Sequence, residues 1–561
     1  MAEEGSGNRL QLAQTISTRD PTMTSDAILY NYYATKNSNG QILCERRFGI
    51  QPVFTATAAA GLGLFQFGTQ VLAIIGTEFF VNGVATSAVD ATSPYQFVLT
   101  GIGGTAVFLK NNTNAYIWNG STLTKVTDVN YPATTVPGVT YLDGYVFVLT
   151  PGGTLTNSNL NTPATWNALN TINGSLSADP GAAVNKLYNY IVSFGTFSTT
   201  FFYDAGNVPP GSPLLPVIQA TCNIGVASGT SVVASENTIF WIGQTHQKGR
   251  RVYMLNGLTP QPISDQFIDK VLNADPLTPG TVYAFYIEIN GSAFYVLTLS
   301  ASNFTLVYNS SVGMWSRWSS TVLGTPQVAV SATVTNGIVT VNLPNHGLSN
   351  PAIVRVTSAN SGAMFLGTFV VTVIDGNTIS YNIGSSPIGG GINSNTINTF
   401  TIDAETGTTG SQSGIGTLTV TPFVQNFFQP GFYAFTNNTD YLLGVSSGIT
   451  YQMQQGVSSD AGMFIYGLLR TNAGDFGSNK WKFYPTIEVN ADKVQDTAYV
   501  GYSDDDFVSF GPFRPVNLGS DRALVRRASG SRRRAFSLLY IGGFQVRFYN
   551  IELPDMQVGT N

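Results

Sequence analysis

The hydrophobic positions of this chain fall in short runs of about four to eight residues, many alternating with polar positions and most ending at Gly, Asn or Asp. Period-two alternation in runs of that length predicts β-strands, because successive strand side chains point to opposite faces. One phrase recurs: an aromatic-rich strand running straight into a tight Asn-Gly or Asn-Ser turn. It reads Phe79-Phe80-Val81-Asn82-Gly83, then Tyr116-Ile117-Trp118-Asn119-Gly120, then Val252-Tyr253-Met254-Leu255-Asn256-Gly257. Looser copies stand at Phe201-Phe202-Tyr203-Asp204 and Leu306-Val307-Tyr308-Asn309-Ser310. Asn-Gly supplies the positive φ values of a type I′ hairpin turn, so each copy predicts the end of one strand and the start of the next. Copies roughly 40–50 residues apart match the length of one four-stranded propeller blade.

Applied along the chain, this pattern predicts an all-β molecule: an irregular propeller-like platform, an inserted small β-sandwich and a C-terminal β-sandwich. Residues 1–26 are polar without periodicity and predict an N-terminal arm. Residues 27–325 predict the first part of the propeller, interrupted by one short helix. Ser264 is its expected N-cap, Phe267, Ile268, Val271 and Leu272 share one face, and Pro276 ends it. After Trp315-Ser316-Arg317-Trp318 the grammar breaks. Residues 326–425 become rich in Thr, Val, Ile, Ser, Asn and Gly, the content of an inserted β-sandwich that returns the chain near where it left. Residues 426–458 resume the aromatic grammar and predict closing strands of the propeller. Residues 459–561 alternate well and predict the C-terminal β domain.

Composition supports an all-β reading. Charged residues are only 10% of the 561, whereas Gly numbers 59 and aromatics reach 12%. Helix bundles need far more Glu, Lys and Ala on their exposed faces. The net charge of −5 speaks against wholesale binding of duplex DNA, which needs a basic surface, though not against DNA passing by. Two cysteines, Cys44 and Cys222, cannot build a disulfide framework and are expected as reduced thiols from a reducing cytosol. The acidic start, Met1-Ala2-Glu3-Glu4, lacks an apolar stretch, so no signal peptide is expected. The most apolar run, Val71-Leu72-Ala73-Ile74-Ile75, is far too short to span a bilayer, and a soluble protein is expected.

Candidate chemistry is sparse. Gly444-Val445-Ser446-Ser447-Gly448 matches the G-x-S-x-G nucleophile pattern, but it joins two predicted strands instead of a strand and a helix, so it reads as a hairpin turn. His246 and His346 are the only histidines, too few for an ordinary zinc ligand set, and both read as loop residues. Asp504-Asp505-Asp506 lacks the alternating ligand spacing of a calcium loop and reads as a solvated turn. Neither catalytic residues nor a metal or cofactor site is therefore expected. The strongest electrostatic feature is a run of arginines at Arg514, Arg522, Arg526, Arg527, Arg532, Arg533 and Arg534. Three readings compete for it: a solvated sheet edge, a contact with phosphate, and a subunit interface. The interface is favoured, with Arg522, Arg526, Arg527, Arg532, Arg533 and Arg534 as its candidates.

The order of these elements resembles the packaged-DNA stabilisation proteins of short-tailed bacteriophages, also called tail hubs or tail nozzles. Asn31-Tyr32-Tyr33 leads into Glu45-Arg46-Arg47-Phe48-Gly49-Ile50, similar to that family's opening strand and Arg-Pro-Gly-Ile-like turn, with Phe48 where Pro is common. Phe197 to Tyr203, Cys222 to Ala227 with Thr238 to Gly243, and Leu306-Val307-Tyr308 with Met314 to Trp318 follow in the family's order. The most specific likeness is Val252 to Gly257 running through Pro262-Ile263-Ser264 into the helix. The Asp-rich and Arg-rich segments at 504–506 and 522–534 are also similar to its closing region. The likeness spans about 27–325 and 430–555 and skips the insertion. It implies a structural virion protein, not an enzyme: a ring of the chain with itself, expected as a hexamer, below the portal and its tail adaptor. Such a ring contacts tail fibre, spike or needle proteins, retains the packaged genome, and passes DNA without reading its sequence. It implies a place in the virion tail after synthesis in the host cytoplasm. The alternative is a propeller-type tail protein that binds or degrades host surface glycan, which would need paired carboxylates at a central pocket.

Overall fold

The computed structural model describes residues 8–15, 27–37, 39–56, 59–101, 103–247, 249–335, 338–358, 366–382 and 418–559. Its core is a ring of seven antiparallel blades. Blade 1 (61–88), blade 2 (96–125), blade 3 (140–173) and blade 4 (181–216) are each four strands in sequence order. In blade 5 (225–262) the first position is shared by Gly225–Val226 and Val233–Ala234, both paired to Ile239–Gln244. Blade 6 (282–323) is again four strands in order. Blade 7 is composite. Pro430–Thr436, Thr439–Gly444 and Ile449–Gln454 supply three strands, and Gly49–Thr55 pairs antiparallel with the last of them, Met453 facing Ile50. The ring is thus closed by hydrogen bonds between segments some 400 residues apart, a distance read from the numbers of Ile50 and Met453.

Apolar packing between neighbouring blades completes the circle. Blades 1 and 2 share Ile74, Phe79, Val107 and Trp118. Blades 2 and 3 share Phe108, Val146 and Trp166, blades 3 and 4 Phe147, Leu155 and Phe202, and blades 4 and 5 Phe194, Phe201 and Trp241. Blades 5 and 6 meet around Phe240 and Tyr295, blades 6 and 7 around Trp318 and Leu442, and blades 7 and 1 around Leu443 and Phe80. The first strand of each blade contacts the first strands of its neighbours, so these strands line the axis. Glycine permits that approach. Gly138, at φ +98°, lies where an added Cβ would sit 1.9 Å from the Val184 carbonyl oxygen of the next blade.

The recurring phrase marks a fixed place in the repeat: its five copies end the third strand of blades 1, 2, 4, 5 and 6. The expected turn type holds at one of them. Asn82 and Gly83 both have positive φ, as type I′ requires, whereas at Asn119-Gly120 and Asn256-Gly257 only the glycine does. At Asn119 the side chain holds the turn instead, its Oδ1 accepting from the Ser121 and Thr122 amides. The helix is Gln266–Ala274, and Phe267, Ile268, Val271 and Leu272 are its buried face. Its N-cap is Asp265, not Ser264: Asp265 accepts from the Ile268 amide, while Ser264 receives the Val252 amide and donates to Asp269. Both are good capping residues, and the pairing of Ser264 with the neighbouring strand decides between them.

The outer strand of blade 6, Met314–Leu323, runs on beyond the blade and pairs with the returning strand Leu418–Phe427, Leu323 facing Phe423. Between them lies a small β unit with its own core of Val339, Val341, Val354, Phe369, Ile379, Tyr381 and Val420.

The remaining strands form a sandwich drawn from both ends of the chain. One sheet joins Tyr32–Lys36 and Ile42–Arg46 to Arg547–Leu553, Thr486–Ala491 and Leu524–Arg526. The other joins Ile28–Tyr30 to Gly467–Arg470, Ala535–Tyr540, Thr497–Ser503 and Arg514–Asn517. Tyr32, Cys44, Ile487, Val500, Phe536, Leu538 and Ile551 fill the space between them. The strands at 28–46, grouped with the blades by their position in the sequence, therefore lie in the sandwich, because strand alternation does not specify a partner. Within the stretch read as an arm, Asn8–Gln11 pairs with Arg547–Leu553 and Leu12 is buried; residues 1–7 and 16–26 lie outside the described residues. Among the described residues no helix is long and apolar enough to cross a membrane.

Candidate functional site

Polar side chains or open space gather, among other places, at a buried junction between propeller and sandwich, in the axial cavity and along the arginine-rich edge of the sandwich.

The junction is built on Asn31, whose positive φ of 56° turns the chain from one sandwich sheet into the other. Its side-chain Nδ2 donates to Ser319 Oγ (2.9 Å) and the Tyr466 carbonyl (2.8 Å), and its Oδ1 accepts from the Ser319 backbone amide and Arg47 Nε. Arg47 is fully buried and meets Asp460 bidentately, Nη1 to Oδ1 at 2.9 Å and Nη2 to Oδ2. Its remaining donors reach the Phe48 and Ser319 carbonyls, and its guanidinium lies 4.7 Å above the Phe428 ring. Every guanidinium donor thus has an acceptor, the condition under which a buried charge is tolerated. Arg46, also fully buried, donates to the Gly542 and Ser458 carbonyls and stacks 5.0 Å from Tyr540. The pair of arginines therefore ties together the ring-closing strand, the outer strand of blade 6 and the sandwich. That role accounts for Asn31 and Arg46-Arg47, which sequence reading singled out only by resemblance. It missed Asp460, because nothing local marks a carboxylate whose partner is 413 residues away.

The axial cavity holds about 230 Å³ and opens where the first strands begin, lined among others by Tyr95, Gln96, Asn185, Thr230 and Tyr283. None of the described residues lining it carries a charge.

At the arginine-rich edge the six candidates separate. Arg534 is buried: Nε and Nη2 meet the Asp504 carboxylate at 2.6 and 2.7 Å, and its guanidinium is sandwiched 4.3 Å from Tyr484 and 3.9 Å from Tyr502. It braces its own chain. Arg522 is exposed and paired with Glu488. Arg533 reaches Asp506 at 3.8 Å, both about half exposed. Arg526, Arg527 and Arg532 are exposed, and among the described residues their side chains have no ion-pair partner. The Asp-rich turn is thus the acidic counterpart of this segment: Asp504 serves Arg534, Asp506 serves Arg533, and Asp505 accepts from Ser503, Ser509 and the Ser509 amide.

The other motifs settle as turns. Ser446 of the G-x-S-x-G match donates to Gln429 in the hairpin between two strands of blade 7. His246 is exposed and stacks on Phe197 at 3.8 Å. His346 is buried in its turn, Nδ1 accepting from the Leu348 amide and Nε2 donating to the Asp375 carbonyl. Cys44 and Cys222 are free, and burial pushes both thiols above their usual range. Among the described residues no group of three His, Cys, Asp or Glu stands close enough to hold a metal.

Several solved structures share a weak overall likeness. The computationally designed Ika8 protein is 10% identical over 72% of this chain and 99% of its own, with a TM-score of 0.33. BamB from Moraxella catarrhalis is 10% identical over 81% and 98%, with a TM-score of 0.30. The N-terminal domain of Nup159 is 11% identical over 57% and 96%, also at 0.30. Likenesses this slight carry no functional meaning. No curated protein sequence matches the chain. The family model described as "Bacteriophage P22 Gp10, beta-propeller", of the phage-stabilise family, matches residues 29–341, which is more than half of the chain. That span runs from the Asn31 junction through blades 1 to 6, so the chain belongs to this family and is a β-propeller tail protein of the packaged-DNA stabilisation type found in short-tailed bacteriophages.

Proposed function

We propose that the chain is the tail nozzle, or hub, of a short-tailed phage: a ring of identical copies, expected as six, that extends the DNA channel of the portal and its adaptor. In this role it retains the packaged genome and lets it leave at ejection. Family membership over residues 29–341 carries the reading. The axial cavity supports it from another side. At about 230 Å³ it accommodates a few solvent molecules and no polynucleotide, so DNA would travel along the axis of the assembled ring and not through any one propeller. A net charge of −5 suits such a conduit, since a basic wall would grip phosphates. The same cavity gives no support to glycan cleavage, because none of its described lining residues is a carboxylic acid to act as general acid, base or nucleophile. On this reading the protein is not an enzyme and takes no cofactor; its partners are its own copies, the tail adaptor above, and fibre, spike or needle proteins around and below.

The test is genetic. Particles made without this protein should package DNA and then lose it, so that nuclease-protected DNA per particle falls while capsid yield is unchanged. Particles that keep full genomes without it would refute the nozzle role. Release of reducing ends from host polysaccharide by the purified chain would favour the glycan reading instead.

A further inference from the structure

The arginine-rich edge carries more than charge. Phe483, on the short strand Lys482–Phe483 beside it, and Trp481, just before that strand, are 57% and 47% exposed, unusual for rings of that size. Strand register explains why they stay uncovered: Phe483 faces Gly530, which has no side chain, and the Trp481 indole lies over that same glycine. The exposed Arg532 follows Ser531 and Trp481 precedes its partner Lys482, so both flank the same end of this short ladder. Arg526 and Arg527 border it, since the Arg527 amide bonds to the Pro485 carbonyl and the Tyr484 amide to the Ser529 carbonyl. Exposed Trp and Phe among unpaired arginines have the composition of an interface hot spot.

A patch of complementary sign lies at the far end of the propeller's inner strands, away from the axial cavity. Tyr286 donates to Glu288 (2.6 Å) and Tyr433 to Asp440 (2.8 Å). Glu236 follows the first strand of blade 5, Glu288 lies near the end of that of blade 6 and Phe435 near the end of that of blade 7; these three strands are neighbours, so the residues share one end of the propeller. Tyr433 stacks on Phe285, the residue before Tyr286, with ring centroids 6.1 Å apart, so the second pair stands on the strand next to the first. Glu236 and Glu288 are exposed, and Phe435, which faces Asp440 across the strands, is 45% exposed.

We propose that these two patches meet in the assembly, the Trp481–Phe483–arginine face of one copy seated on the Glu236–Glu288–Phe435 face of the next. The proposal rests on the ring reading above and adds which surfaces make the contact. The contact joins two different surfaces, and in a ring it is heterologous, head to tail, the type that closes when the rotation does. Each face brings an aromatic anchor and a charge rim of opposite sign, which steers encounter and sets register.

Charge exchange tests the pairing. Assembly of the full-length chain is followed by sedimentation velocity over a concentration series, with thermal melts to show that each variant is folded. Arg526→Glu with Arg532→Glu, and separately Glu236→Lys with Glu288→Lys, should each weaken assembly by about tenfold or more. All four substitutions together should recover most of that loss. Failure of the combined variant to assemble better than either half overturns the pairing, as does a half-exchange that leaves assembly unchanged. A wild-type chain that stays monomeric at its highest soluble concentration also overturns this self-contact, whereas the nozzle reading stands or falls on genome retention by the particles.

Discussion

Removing the carboxylate of Asp460 should destabilise the whole molecule more than any exposed ion pair can. Arg47 is fully buried and Asp460 is 6% exposed, so the pair lies out of water. In Asp460→Ala the guanidinium keeps its neutral acceptors, the Asn31 side chain and the Phe48 and Ser319 carbonyls, but loses its only counter-charge among the described residues. Breaking a buried pair by deleting one partner costs about 3–5 kcal/mol, because the orphaned charge stays desolvated. The loss falls where the closing strand, blade 6 and the sandwich meet, so it should appear in the global transition. Equilibrium urea unfolding followed by tryptophan fluorescence measures it directly. Trp318 packs 5.5 Å from Phe428, the ring under the Arg47 guanidinium, and reports on the junction. Arg47→Met combined with Asp460→Leu should recover much of the loss, since an apolar replacement leaves no buried charge. Asp506→Asn, which breaks the exposed pair with Arg533, serves as the control and should leave the midpoint near wild type. An Asp460→Ala unfolding free energy within about 1 kcal/mol of wild type would refute the reasoning, as would a double variant no better than the single.

Lys110 gives a pH signature. It is fully buried between blades 2 and 3, its ammonium donating to the Val136 carbonyl (2.6 Å) and Thr135 Oγ1 (2.9 Å), and burial lowers its pKa from 10.5 to about 7. Between those values the unfolded chain binds more protons than the folded one, so this group makes stability rise with pH, by at most about 1.4 kcal/mol per unit. Urea midpoints at pH 7, 8 and 9 should show that rise, and Lys110→Met should flatten it. Gly138→Val should lower the melting temperature by several degrees, because its Cβ would meet the Val184 carbonyl at 1.9 Å in a left-handed backbone, whereas Gly257→Ala, with nothing within 4 Å, should cost only about 1–2 kcal/mol for the backbone. Replacing residues 324–422 by Asn-Gly should leave a folded propeller with a near-native melt, because Leu323 and Phe423 already face each other in a two-stranded pair. A molten or aggregated product would show that the inserted unit supports the ring.

Much of the fold was legible because blades are local. Each phrase such as Phe79-Phe80-Val81-Asn82-Gly83 carries its own strand and turn, and its neighbours in sequence are its neighbours in space. The closing features were not legible for the converse reason. Gly49–Thr55 reads as one more strand, and nothing in it says that it pairs with Ile449–Gln454. The same holds for Tyr32–Lys36 and Ile42–Arg46 in the sandwich, and for the Arg47–Asp460 pair. The arginine run was visible as charge but not as structure. Only the fold separates Arg534, enclosed by Tyr484 and Tyr502, from Arg532, which is exposed. Gly138 carries no mark in the sequence of the contact it allows with the next blade, because the Val184 carbonyl it faces is set by the fold.

Electron cryomicroscopy of the intact tail tests the central claim most directly. The account predicts a closed ring of copies of this chain below the portal and adaptor, with density for DNA on the ring axis and none through the axis of any single propeller. A chain found only at the tail periphery as an isolated fibre or spike, or DNA threading the blades themselves, would contradict it.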